Sequence, residues 1–112
     1  MALELTPGRA LTDGDLLELL KIELNKPASY VEPVLVLKLG AARERIEKHG
    51  IMLDMTSYDD AELLVAYAAW LYRLKGEDPE KTAMPAMLKR ALNDRIIAAV
   101  GARSGAEELT YA

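Results

Sequence analysis

Residues 61–74, AELLVAYAAWLYRL, carry only two charged side chains, Glu62 and Arg73. A helix on the surface of a small domain shows one apolar stripe and one polar face, so a segment this apolar is either the centre of a bundle or is covered by another subunit. At 3.6 residues per turn, Glu62, Ala66, Ala69 and Arg73 follow at steps of four, three and four and share one stripe. Leu63, Leu64, Tyr67, Trp70, Leu71 and Leu74 fall on the opposite, bulky side. The pattern predicts that the bulky side is core and that only the narrow Glu62 to Arg73 stripe is open to an oligomer.

The rest of the chain must supply the partners of that helix. At 112 residues it has the size of one domain, large enough for a core of its own. Hydrophobic residues at 51% and no Phe leave Leu, Ala, Val and Met to fill the interior, a composition that favours helices. The absence of Cys removes disulfides, thiolate zinc sites and cysteine nucleophiles together. A net charge of −4 weighs against gripping phosphates as the main task, because such affinity rests on clustered Lys and Arg. The first residues, MALELTPGRA, lack a basic start followed by an apolar run, so no secretory signal is expected and the chain is placed in the cytosol when synthesised. The central run is shorter than the roughly 20 apolar residues a bilayer crossing needs, so no membrane span is expected either.

Taken in order, Leu3, Leu5 and Leu11 surround a Pro7-Gly8 turn signal and predict an irregular arm whose leucines dock locally. Thr12 with Asp15 three positions later is an N-cap pattern, and Leu16, Leu17, Leu20 and Leu24 recur at helical spacing, giving a first helix over about 13–24 that Pro27 ends. Ser29 and Glu32 form a second capping box. Val31, Leu35, Leu39, Ala42 and Ile46 then share a face of a helix reaching about residue 49, closed by Gly50. On that helix Leu37 lies opposite Leu35, so its first half is apolar on both faces, and Val34, Val36 and Leu37 mark a second contact surface. A connector over 51–56 leads to a third capping box, Ser57 and Asp60, and to the central helix, which ends at Gly76. Pro85 opens a last helix with Met84, Leu88, Ala91, Leu92 and Ala99 on its apolar face and Gly101 at its end. Arg95 projects from that apolar face and requires an acid beside it if buried. Ile97 projects from the polar face. Residues 102–112 predict a flexible tail that a partner orders, with Leu109 and Tyr111 as its apolar anchors. The fold class is therefore all-α: a small four-helix bundle-like domain spanning 1–112, with its core over 12–101.

Chemistry finds little purchase here. His49 is the sole histidine and sits at a predicted helix C-terminus, where the dipole accounts for it. One His and no Cys cannot build an ordinary zinc site, and Ser29, Ser57 and Ser104 have cap or tail positions without a nucleophile-elbow context. The acidic cluster Asp54, Asp59, Asp60 and Glu62 lacks the spacing and turn glycine of a calcium loop, and helix N-terminal charge explains it more economically. No glycine-rich phosphate loop occurs. The sequence predicts a protein that is not an enzyme and has no cofactor and no metal.

The order of elements resembles the helical head-to-tail connector family (adaptor, or head-completion, proteins) of long-tailed bacteriophages and prophages. The likeness lies in LLELLKIE at 16–23, a long helix ending AARERIEKHG at 41–50, the apolar helix AELLVAYAAWLYRLKG at 61–76 and a final helix opened by Pro85. It spans about residues 11–101; residues 26–33 depart from the acidic run often found there. The resemblance implies a structural virion protein that assembles as a homo-oligomeric ring beneath the portal protein and offers a platform to the next tail or stopper component. DNA would pass through its channel without specific binding, a role that the negative charge suits. In that reading Val34, Val36, Leu37, Glu62, Ala66, Ala69, Arg73 and Ile97 are candidate subunit contacts, and Leu109 with Tyr111 dock the portal. The competing expectation is a small helical regulator whose first two helices imitate a helix-turn-helix and bind nucleic acid, although Leu and Val occupy much of what should be a polar reading face.

Overall fold

Thr12 opens the first helix through a reciprocal cap. Its hydroxyl accepts from the Asp15 amide at 3.1 Å while its own amide donates to the Asp15 carboxylate at 3.0 Å. Two of the four amides that a helix start leaves without partners are thereby satisfied. The computed structural model describes residues 10–26 and 31–111, with side chains as far as residue 101. Among the described residues it contains four helices and no strand: α1 (Asp13–Leu24), α2 (Glu32–Glu47), α3 (Tyr58–Arg73) and α4 (Ala86–Tyr111). Residues 1–9 of the expected arm over 1–11, Pro27 and the Ser29 cap lie outside the described residues.

The third helix is the hub, packing against α1, α2 and α4. Its Leu63, Leu64, Tyr67, Trp70, Leu71 and Leu74 are all buried, as the bulky side of the wheel predicts. Tyr67 and Trp70, one turn apart, meet edge to face with ring centroids at 5.6 Å. Burial pushes the Tyr67 phenol above its ordinary range. Into this centre α1 inserts Leu16 and Leu20, α2 inserts Leu35, Leu39, Ala42 and Ile46, and α4 inserts Leu88 and Leu92, so all four helices share one core. Leu11 is buried with them, and its amide donates to the Met55 carbonyl at 2.9 Å. A bond between Lys21 and Glu32 ties α1 to α2. That contact leads the causes that raise the Lys21 ammonium above its ordinary value.

Helix boundaries depart from expectation where backbone conformation rather than residue type decides. Asn25 ends α1 in the left-handed region at φ 55°, ahead of Pro27. The N-cap of α2 is Val31, which has no side chain able to cap, and Glu32 is engaged by Lys21. After α3, Lys75 and Gly76 turn left-handed at φ 51° and 91° and stop the chain from continuing. Gly101 does not do this. It keeps helical geometry, and α4 runs on to Tyr111, so the backbone of the expected tail is helix. A glycine inside a helix costs about 1 kcal/mol relative to Ala, which weakens a helix without ending it.

Two glycine substitutions should move stability in opposite directions. Gly76→Ala puts a Cβ on a residue at φ 91° and should cost about 1 kcal/mol. A Cβ at Gly40, inside α2, meets no atom within 4 Å, so Gly40→Ala should add about 0.5–1 kcal/mol. Thermal melts of the two variants at one low protein concentration, one below and one above the parent, would bear this out.

Candidate subunit interface

Val34, Val36, Leu37 and Ile97, the expected contacts on α2 and α4, are among the large apolar side chains that stand in solvent. Val34 is 44% exposed, Leu37 72% and Ile97 68%, with Val36 between them at 55%. On α2 they arise because Leu35, Leu39, Ala42 and Ile46 take the face toward α3 and leave Val34 and Leu37 on the outer side. Val34, Leu37 and the half-buried Ala41 follow at steps of three and four and form a stripe. Lys38, half-exposed, and Lys48, exposed, flank it. Val36 falls on the neighbouring side of the helix, apart from that stripe.

The stripe predicted on α3 is narrower than expected. Glu62 and Arg73 are exposed and Ala66 is partly so, but Ala69 is 1% exposed and lies in the core. The reason is its place on the wheel: Ala69 sits at the margin of the stripe beside Val65, on the side facing α1, and Val65 is buried as well. Ala69 is therefore not a subunit contact. What survives is the floor of a groove of about 670 Å³ between α3 and α4, with Leu63, Ala66 and Trp70 on one wall and Met87, Ala91 and Ala98 on the other. A smaller hollow of about 320 Å³ between α1 and α3 adjoins it through Glu23, Glu62 and Ala66.

Both ends of the groove are tied. At one, the Arg73 guanidinium donates to the Glu23 carbonyl at 3.3 Å and stands 4.0 Å from its carboxylate. At the other, Asp60 is 4% exposed and receives a two-point contact from Arg95, Nε to Oδ1 at 2.8 Å and Nη2 to Oδ2 at 3.3 Å. The acid that Arg95 requires is thus on α3. The same carboxylate accepts from the Asp54 amide at 2.8 Å, and Arg95 also donates to the Met52 carbonyl at 2.9 Å, so α4 and α3 together hold the 51–57 connector. The expected Ser57 and Asp60 capping box is half formed: Ser57 caps the Asp60 amide, while the Asp60 carboxylate turns to Arg95 and Asp54. Asp60 holds the Arg95 guanidinium further above its ordinary value. The Thr56 hydroxyl, aided by its amide, holds the exposed Asp54 carboxyl below the usual carboxylate range.

Of the groove's other acids, Asp59, Glu62 and Asp94 form no salt bridge among the described residues, and their charge stands on its rim. Ile97 lies on α4 away from the groove lining. The candidate contacts therefore fall on separate surfaces: Val34 with Leu37, Glu62 with Ala66 and Arg73, and Ile97 by itself. Leu109 and Tyr111 lie on the backbone of α4, but their side chains are outside the described residues. Sequence reasoning missed Met87, Asp94 and Ala98. Ala91, Asp94 and Ala98 at steps of three and four were the available signal, a small-residue stripe beside the core stripe of the same helix.

Among the described residues no group of three or more His, Cys, Asp or Glu side chains is placed to hold a metal ion, and no helix is long and apolar enough to cross a membrane. Compared with family models, curated proteins and solved structures, the chain matches none.

Proposed function

We propose that the chain is a structural virion protein of a phage or prophage, a head-to-tail connector that assembles as a ring under the portal, joins capsid to tail and extends the DNA channel. The observation that carries this reading is the surplus apolar stripe that α2 turns outward from a complete core: Val34 and Leu37 exposed, with the half-buried Ala41 beside them, while Leu64, Leu35 and Leu20 are wholly buried. Such a surplus favours an assembling subunit over a free-standing monomer. The net charge of −4 suits a passage through which DNA must slide without adhering. On this reading the chain is made in the cytoplasm of the bacterial host and ends in the virion; its partners are further copies of itself, the portal and the next tail component.

The nucleic-acid alternative has less support, because α2 would have to read bases with an outer stripe that begins with Val34 and Leu37. Mixing the purified chain with the portal protein from the same genome tests the proposal. The expected result is a ring on the portal in electron micrographs and at least a tenfold loss of portal affinity on removal of residues 102–112. An unchanged affinity would remove Leu109 and Tyr111 from the docking role. Absence of any portal binding, combined with salt-dependent binding to duplex DNA, would transfer the assignment to the regulator.

A further inference from the structure

We infer that the groove between α3 and α4 receives the outer face of α2 from a second copy of this chain, in a head-to-tail contact. Asp59 and Arg73 bound the groove along α3, so at 1.5 Å per residue it is about 20 Å long, enough to seat three to four turns of a helix. The helix α2 (Glu32–Glu47) has that length, and its outer stripe, Val34, Leu37 and Ala41, is apolar and small enough to lie over Ala66, Ala91 and Ala98.

Charge selects this occupant over a generic apolar helix. The groove rim carries Asp59, Glu62 and Asp94 without cationic partners among the described residues, whereas Lys38 and Lys48 flank the α2 stripe and have no carboxylate partner there; the exposed Glu44, which follows Ala41 along the stripe, offsets one of the two and leaves the face net positive. Apolar stripe with lysines beside it meets apolar floor with carboxylates beside it, and complementary potentials of this kind fix register and reject like surfaces. Neither surface can satisfy the other within one molecule. The groove is lined by α1, α3 and α4 and the loop before α4, with no residue of α2, and α2 is anchored to α3 by its opposite face. A contact between two different patches is heterologous, so it propagates from copy to copy and closes into a ring or grows as a filament.

The inference rests on the ring-forming part of the proposed function but not on the portal. The absence of native cysteine gives a direct test by mixing two single-cysteine variants, both at exposed positions that leave the core untouched. Leu37→Cys mixed with Ala91→Cys or Ala98→Cys under mild oxidation should give a disulfide-linked 1:1 species, while each variant alone should give at least tenfold less dimer. As an independent check, sedimentation of the parent chain should show mass rising with concentration, and Leu37→Arg or Ala91→Trp should each weaken that association at least tenfold. Those two variants, equally disabled alone, should form a heterodimer and nothing larger when mixed, because one intact groove and one intact stripe remain. Efficient Leu37→Cys self-crosslinking, or a parent chain that stays monomeric to about 1 mM, would overturn the inference. A ring on the portal without the Leu37 to Ala91 crosslink would overturn this docking and keep the connector; the crosslink without portal binding would do the reverse.

Discussion

Leu64→Ala is expected to lower the free energy of unfolding by about 3–4 kcal/mol. Leu64 is fully buried on α3, the helix against which the other three pack. Removing its isobutyl group forfeits the transfer free energy of the lost methylenes and leaves a void into which the surrounding structure relaxes only in part. Domains of this size are stable by only about 5–15 kcal/mol, so the loss is a large share of the whole. The control is Leu37→Ala, equal in chemistry and opposite in place: at 72% exposure it should change stability by less than about 0.5 kcal/mol. Urea titrations checked for equal slopes would make the comparison. An unfolding free energy for Leu64→Ala within about 1 kcal/mol of the parent would remove α3 from the centre of the fold.

The contrast between those two leucines shows which parts of the structure were written in the sequence. Periodicity placed Leu35, Leu39, Ala42 and Ile46 on the inner face of α2, and Leu37 outside, because burial repeats with the helix turn and needs no knowledge of the neighbours. Thr12 and Asp15 were legible for the same local reason. Where a neighbour decides, the sequence was insufficient. Ala69 shares a wheel stripe with Glu62 and Arg73, yet it is covered because the side bearing Val65 faces α1, a fact of helix placement. Gly50, Gly76 and Gly101 are alike as letters, but only the first two adopt positive φ and follow a helix end. The groove lay beyond reach for the same reason: Ala91 and Ala98 are poor in information until α3 stands opposite them. Arg95 was an intermediate case, since the cost of burying a guanidinium demanded an acid while naming none.

That acid gives the second large effect. Asp60→Ala should cost about 2–3 kcal/mol, because it leaves both the Asp54 amide and the Arg95 guanidinium without their partner. Truncating one member of a fully buried pair costs about 3–5 kcal/mol, and the Arg95 side chain, 27% exposed, recovers part of that by hydration. Arg95→Ala should fall in the same range from the other side, stranding a carboxylate whose side chain is only 5% exposed. The two losses should not add. Once one partner is gone the contact the two share is already lost, so the double variant should be less destabilised than the sum by about 1–2 kcal/mol. Amide exchange gives the local readout: the Asp54 amide should lose protection in Asp60→Ala but keep most of it in Arg95→Ala, since the carboxylate that accepts from it survives there. Additive losses, or an Asp54 amide indifferent to Asp60→Ala, would mean that the pair is incidental to the packing of α4. Non-additive losses with that exchange pattern would mean that a single carboxylate fixes α3, α4 and the 51–57 connector together, and with them the width of the groove.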